Sequence, residues 1–411
     1  MSDARRHVEE FLRRVDAMPS EEHGFSHIAA DAARARADAL DALPPSRRGP
    51  LHGQLIPIKD LCDVAGMPTS FGSAERAILA RHTDPLARRL LEAGAIIPGK
   101  TLTPELGMTG YTEPVGLPAP DNPRLPGRTP GGSSGGAAVA VARGLVPAAH
   151  GTDGGGSLRI PAAACGLASI KTPRDPAGGG LVTAGFLAPT LSRCAALSGL
   201  RPHPGRRLIG VMDRPLWAET PVSPEARRAL ADAADALSTR GHELRPIRPE
   251  RLDAERLFAA FRDIFSSSLL SVPTTPHESE IVSWLRECGR RAHRTSACRL
   301  MAEASGPHGR VARALGVDAL LTPMLAFAPP PHGHFSSLPP EQNFLEQTRW
   351  SPWGSLANIT GMSALCVPWR GGAGRPGGVG LHLCAVSMGA GELLALGLEL
   401  EEEGRCAAAD A

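Results

Sequence analysis

Two glycine-rich segments constrain this chain more than any other feature. The first, Pro130-Gly131-Gly132-Ser133-Ser134-Gly135-Gly136, is entered from Arg128-Thr129 and runs into Ala-Ala-Val-Ala-Val-Ala-Arg-Gly, a helix that Gly144 closes. Taken alone, a Gly/Ser string of this kind reads as a flexible linker. The rigid entry and helical exit argue against that. The second, Asp153-Gly154-Gly155-Gly156-Ser157, places its serine 157 − 133 = 24 positions after Ser133 and follows a strand-like run at 145–150. Consecutive glycines let backbone N–H groups turn toward one point. Such a turn could cradle a phosphate, but no Gly-Lys-Ser/Thr follows it. A third stretch, Leu55-Ile56-Pro57-Ile58-Lys59, lies 133 − 59 = 74 positions before Ser133. It is a short apolar run ending in a charge, which predicts a buried strand with Lys59 at its end.

Around these segments the chain alternates helix and strand. Residues 1–43 carry helical periodicity, with Val8, Phe11, Leu12 and Val15 on one face and a second stretch at 29–43 that Pro44 and Pro45 stop. A helix is expected at 84–93 and a strand at 95–98. Residues 174–205 are rich in Gly, Pro and Ser with weak periodicity. Further strands are expected at 207–212, 243–247, 317–321, 363–368 and 378–384, and helices at 223–239, 254–270, 278–304 and 392–403. This alternation predicts an α/β fold, and no linker or internal repeat divides it.

Composition narrows the function classes. With Lys+Arg 44 against Asp+Glu 42, the net charge of +2 gives no electrostatic footprint for nucleic acid or an anionic membrane. The charged, amphipathic start has no apolar signal core, and no run of eighteen apolar residues occurs. The 8 cysteines form neither a Cys-x-x-Cys pair nor a zinc-like cluster, so most of them are expected to be buried thiols of a reduced compartment, the cytoplasm. His332 and His334 tempt a metal reading, but no carboxylate or cysteine accompanies them in the sequence, and a solvent loop is expected there.

At its three motifs the chain resembles the amidase signature family, serine hydrolases with a Ser–cis-Ser–Lys triad. Pro50-Leu51-His52-Gly53 through Thr69 is similar to the family's first motif, and residues 127–173 to the signature itself. Leu321-Thr322-Pro323, Asn358-Ile359-Thr360-Gly361-Met362 and Gly378-Val379-Gly380-Leu381 resemble later landmarks. Departures are a glycine at 154 where a bulkier residue is usual, Thr172-Pro173 in place of Pro-Thr, a shortened segment after Lys171, and Gly380 where glutamine is common. The resemblance implies a single domain over 1–411 with a mixed twisted central sheet covered by helices on both sides. Within it lie an N-terminal helical segment (1–50), the signature core (51–173) and a divergent remainder (174–411).

The same resemblance implies the chemistry. A serine hydroxyl needs a base to become nucleophilic, and a lysine is a base only when neutral, so its usual pKa of about 10.4 must fall by several units. Ser157 is then the nucleophile, Ser133 the proton relay and Lys59 the base. The N–H groups of Gly154, Gly155 and Gly156, with that of Ser157, form the oxyanion hole. Asp153 and Arg159 hold the loop, and Met108 and Thr109, with Tyr111, line the acyl pocket. No metal or cofactor is implied, and the partners are a small-molecule amide and a second copy in a homodimer, with no nucleic acid and no membrane. Acyl transfer to an amine, a subunit of a transamidation complex and a non-catalytic scaffold remain the alternatives to hydrolysis.

Overall fold

The structure, a computed structural model, describes residues 3–175, 180–369 and 379–409. Its strands, in chain order, are β1 Phe25–Ile28, β2 Ile58–Lys59, β3 Pro68–Thr69, β4 Ile78–Leu79, β5 Gly99–Thr101, β6 Ala149–Asp153, β7 Ala168–Lys171, β8 Thr183–Ala188, β9 Leu208–Val211, β10 Glu243–Pro246, β11 Ala319–Pro323, β12 Ala364–Trp369 and β13 Val379–Ala385. Eight of them form one mixed sheet in the order β10-β9-β11-β13-β12-β7-β8-β6. The pairs β10/β9 and β9/β11 are parallel and the remaining pairs antiparallel. The expected α/β fold with a mixed sheet between helices is what the chain adopts.

Side-chain alternation decides what each face of this sheet does. Ile170, Leu321, Leu365, Val367, Leu381 and Leu383 enter one apolar core with the helices Leu191–Ser198, Pro224–Thr239 and Ala390–Ala409. The residues between them, among them Lys171, Cys366 and His382, fall on the opposite face, against the helices Arg159–Cys165 and Leu356–Thr360. One face is therefore apolar support, and the other buries polar groups around the second glycine motif.

Lys59 is carried by a separate three-stranded sheet, β1-β5-β2, in which β5 pairs antiparallel with β1 and parallel with β2. The helix Gly135–Ala142 joins this small sheet to the large one. Its residues Gly135 through Val141 are all buried, so it is a core helix without a polar face. Small side chains permit that. A Cβ at Gly136 would lie 2.4 Å from the carbonyl oxygen of Gly24 and 2.4 Å from the backbone nitrogen of Leu102.

Several expected elements shift or divide. The segment 1–43 is not continuous helix: Asp3–Asp16 and Ala30–Asp41 are helical, but β1 lies between them. Gly24, at φ 78°, ends the short helix Ser20–His23 and turns the chain into β1. The strand expected at 95–98 begins only at Gly99, where β1 supplies the partner; of the earlier residues, Ile96 makes an isolated bridge to Leu55. The strand expected at 145–150 is displaced to β6, and so runs straight into the glycine turn. The helix expected at 278–304 divides into Glu280–Arg291 and Arg294–Ala304. Within 174–205, β8 and the helix Leu191–Ser198 form despite the weak periodicity, the helix capped by Thr190 Oγ1 accepting from Arg193 N at 3.3 Å. The helix Pro340–Trp350 was not read from the sequence. Gly378, expected to open a strand, lies outside the described residues. No helix among the described residues is long and apolar enough to cross a membrane.

In an exposed helix, replacing glycine by alanine stabilises by up to about 1 kcal/mol. At Gly136 the added methyl meets backbone rather than space, so Gly136→Ala should instead destabilise by about 1–3 kcal/mol, the usual cost of overpacking. Urea denaturation of the two proteins measures the sign directly.

Candidate active site

Two buried lysines stand side by side and have opposite surroundings. In the β2/β5 pairing Ile58 lies opposite Lys100 and Lys59 opposite Thr101, and both lysines are 0% exposed. Lys100 Nζ is 2.9 Å from Asp60 Oδ1 and donates to Thr69 Oγ1 at 2.9 Å. The other oxygen of Asp60 accepts from Ser26 Oγ, Ser70 N and Ser70 Oγ. This is a compensated ion pair. Lys59 Nζ instead meets two hydroxyls, Ser133 Oγ at 2.7 Å and Thr152 Oγ1 at 3.0 Å. Burial without an adjacent carboxylate lowers its pKa from 10.5 to about 7, with Cys62 and Asp153 opposing the shift only weakly. The neutral amine is thereby brought within reach of neutral pH.

The serines come from the two glycine motifs. Ser133 is 2% exposed and follows a cis peptide bond from Gly132, as the resemblance implied. The next residue ties the motifs together: Ser134 N donates to Ser157 O at 3.2 Å, and Ser134 Oγ to Thr152 O at 3.3 Å. Ser157 is 9% exposed, the most accessible of Lys59, Ser133 and Ser157.

The turn that presents Ser157 is wrapped around Asp153. The carboxylate accepts from Gly156 N at 2.9 Å, Leu158 N at 3.2 Å and Arg159 through Nε (3.0 Å) and Nη2 (2.8 Å), both side chains being fully buried. Burial opposes ionisation of Asp153, but the Arg159 charge and its hydrogen bonds outweigh it and hold the carboxyl well below the usual range. Arg159 spends its remaining donors on Gly354 O (2.7 Å), Asn358 Oδ1 (2.8 Å) and His382 Nε2 (2.8 Å). A guanidinium has no acceptor, so His382 Nε2 must be the bare nitrogen. Burial and the Arg159 charge keep this imidazole neutral, its pKa far below normal, and Nδ1–H is left to face Thr322 Oγ1 at 3.2 Å. Asn358 Nδ2 returns to Asp153 Oδ1 at 3.0 Å and closes the network.

The sequence reading missed Thr152 and His150. Thr152 Oγ1 accepts from Lys59 Nζ, and His150 Nδ1 accepts from Lys59 N at 3.3 Å. Burial and the neighbouring Lys59 and Lys100 lower the His150 pKa to about 3, so it is a neutral acceptor. Their two-residue spacing along β6 was the available signal, once that strand is known to end at Asp153. Of the expected pocket residues, Met108 lies in an apolar cluster with Leu269, Ile281, Val282 and Leu285. Thr109 Oγ1 donates to Tyr111 O at 2.7 Å, and Tyr111 stacks on Phe335 at 5.0 Å with its hydroxyl accepting from Asn343. Thr109 and Tyr111 line a cavity of about 280 Å³ whose lining includes none of Lys59, Ser133 and Ser157. His332 does have carboxylate neighbours: Asp121 at 3.1 Å and Glu113 at 4.0 Å, delivered from distant sequence. Among the described residues no group of three or more His, Cys, Asp or Glu could hold a metal ion.

A sequence profile of the Amidase family matches residues 6–196. AmiB2 of Mycobacterium tuberculosis, provisionally named an amidase, is 31% identical over 427 residues, covering 96% of this chain and 91% of that protein. The chain belongs to the amidase signature family. An amidase crystal structure is 28% identical with a TM-score of 0.76, covering 98% of this chain and 96% of that one. The structure of 6-aminohexanoate cyclic dimer hydrolase shares the fold at a TM-score of 0.84 and 24% identity, covering 96% of this chain and 92% of that one. As an amidase signature protein it is an amide hydrolase.

Burying Lys59 has a cost readable in stability. Between about 7 and 10.5, its folded and unfolded pKa values, the unfolded chain binds the extra proton, so stability rises with pH across this window. Below the window the full penalty of burying the charge is present. Relative to Lys59→Met, wild type should therefore gain stability steadily from pH 7 toward pH 10. Urea unfolding of both proteins at several pH values checks this, and parallel curves would place the proton elsewhere.

Proposed function

We propose that this amidase cleaves a carboxylic amide C–N bond through an acyl-enzyme on Ser157, with Ser133 as proton relay and Lys59 as base. The observation that carries the reading is Lys59: wholly buried, without a carboxylate partner, 2.7 Å from Ser133 Oγ, and lowered to about 7. Ser157 Oγ attacks the carbonyl carbon while its proton moves to Ser133 Oγ, and the Ser133 proton moves to Lys59 Nζ. The carbonyl π electrons become an oxyanion. Since the Gly156 N–H is already donated to Asp153, the amides of Gly154, Gly155 and Ser157 are the donors left to receive it. Collapse expels the amine, which takes a proton from Lys59 back through Ser133. Water then repeats the sequence on the ester and releases the carboxylic acid.

The Asp153–Arg159 network supports this reading by holding the turn in place before substrate arrives. A fixed donor set needs no reorganisation as charge develops, which is where most such stabilisation comes from. Thr152 supplies Lys59 with a second hydroxyl contact and keeps Nζ directed at Ser133.

Ser157→Ala should abolish turnover with the fold retained; more than about a tenth of wild-type kcat, a loss of only about 1.4 kcal/mol, would remove Ser157 from its role. Ser133→Ala and Lys59→Ala should each cost several orders of magnitude, and the double variant little more than the worse single, because they act as one unit.

The pH profile is an independent check. Substrate capture requires the neutral amine, so kcat/KM should rise through an apparent pKa about 7 and then level off. A rate still climbing near pH 10 would identify hydroxide or a solvated lysine as the base.

A further inference from the structure

The apolar surface around the glycine turn says what kind of amide the site takes. The side chains nearest to where a Cβ would stand on Gly154, Gly155 and Gly156 are uncharged, while the Asp153 carboxylate holds the Gly156 amide from the other side. A Cβ at Gly154 would lie 3.1 Å from Val182 Cγ2, one at Gly155 3.0 Å from Phe261 Cζ, and one at Gly156 3.0 Å from Ile160 Cδ1 and 3.3 Å from Met324 Cε. The Phe261 ring thus lies against the backbone of Gly155, one of the residues whose amides the proposed mechanism assigns to the oxyanion, and a side chain at 155 would press on that ring. Val182, next to Gly154, is 59% exposed, an apolar side chain left open at the edge of the turn.

Phe261 is also the inner member of a row of rings. On the helix Ala254–Ser267, Phe258 and Phe261 stack at 5.7 Å and 21°, and Phe261 and Phe265 at 5.5 Å and 17°. Trp217 continues the row beyond Phe258 at 5.5 Å and 20°, and Phe344, from the helix Pro340–Trp350, meets Phe258 at 6.1 Å. Phe261 is buried, while Phe258, Trp217 and Phe344 are only half-buried. The row therefore descends from partly open rings to one lodged against the oxyanion turn. Half-buried aromatic faces in a row gain from being covered, and the buried end of this row lies against Gly155.

We propose that Phe261, Phe258, Trp217 and Phe344 form a substrate subsite for uncharged amides that carry an extended apolar or aromatic group beside the scissile carbonyl. This rests on Ser157 being the nucleophile. Beside the turn the two opposite charges, Asp153 and Arg159, satisfy each other, and Lys59, lowered to about 7, is a weak counter-charge. A carboxylate or ammonium near the carbonyl would lose its hydration against the rings with nothing to replace it. An apolar group instead leaves water for a preformed aromatic wall.

The test is a series of primary amides of rising acyl length, acetamide, butyramide and hexanamide, with benzamide, and with glutamine and succinamic acid as the charged members. For wild type, kcat/KM should rise about fourfold per buried methylene until the row is covered. Benzamide should exceed both charged amides by at least about a hundredfold. Phe258→Ala and Trp217→Ala, which lie beyond the oxyanion turn, should reduce kcat/KM for hexanamide about tenfold more than for acetamide. Labelling of Ser157 by a small sulfonyl fluoride, read by peptide mass, separates the two levels of the argument. A labelled Ser157 with a flat or inverted length dependence, or with glutamine preferred, overturns the subsite and leaves the nucleophile standing. A wild-type protein that is neither labelled nor active on any member overturns both.

Discussion

The buried pairing of Asp153 with Arg159 is the interaction on which the other parts of the site rest. Its carboxylate ends β6, caps the glycine turn through Gly156 and Leu158, and receives the arginine that begins the following helix. The guanidinium in turn fastens Gly354 and Asn358 in one segment and His382 in another, so two distant parts of the chain are registered on one group. A buried ion pair adds little net stability over apolar packing, but leaving either partner alone costs about 3–5 kcal/mol. Such a pair is better understood as a positional constraint. Here it decides where Ser157 stands and which backbone amides remain free.

Lys59 shows the opposite solution to the same problem. On the neighbouring strand, Lys100 is buried with Asp60 and its charge is compensated. Lys59 is buried with Ser133 and Thr152, so its charge is not compensated and its proton is weakly held. The fold accepts that loss of stability, and the amine it leaves at about 7 is the base of the proposed mechanism. His150, itself neutral, contacts the lysine backbone and adds no charge that would reverse the effect. Lys171, on the site face of β7, is likewise lowered by burial, to about 8, but its donors are taken by the carbonyls of Thr172 and Met362. Its partners make it a brace for those segments.

The divergent half of the chain supplies none of the acid–base groups of the proposed mechanism and much of their surroundings. From it come the helix bearing Phe258 and Phe261, the helix bearing Phe344, and Met324 under Gly156. The division has a physical basis. Proton transfer tolerates almost no change in donor–acceptor geometry, whereas an apolar wall can be built from many combinations of rings and aliphatic groups.

Much of this was legible in the sequence. Local chemistry is written locally: a glycine triplet beside a serine, a cis-permissive Gly-Ser-Ser-Gly segment, and an apolar run ending in lysine each carry their own physical meaning, and the mixed α/β order follows from periodicity. Strand limits were less legible, because pairing ends where a partner ends; 95–98 and 145–150 read as strands by composition, yet β5 and β6 lie further on, where their neighbours are. The partners of Arg159, the carboxylates beside His332, the Thr152 contact to Lys59 and the seat of Phe261 against Gly155 could not be read at all. They join residues up to 223 positions apart, and no local preference encodes such a meeting. The sequence alone determined which groups could react. The packing of two sheets around one buried helix decided which of them meet, and how dry the lysine between them would be.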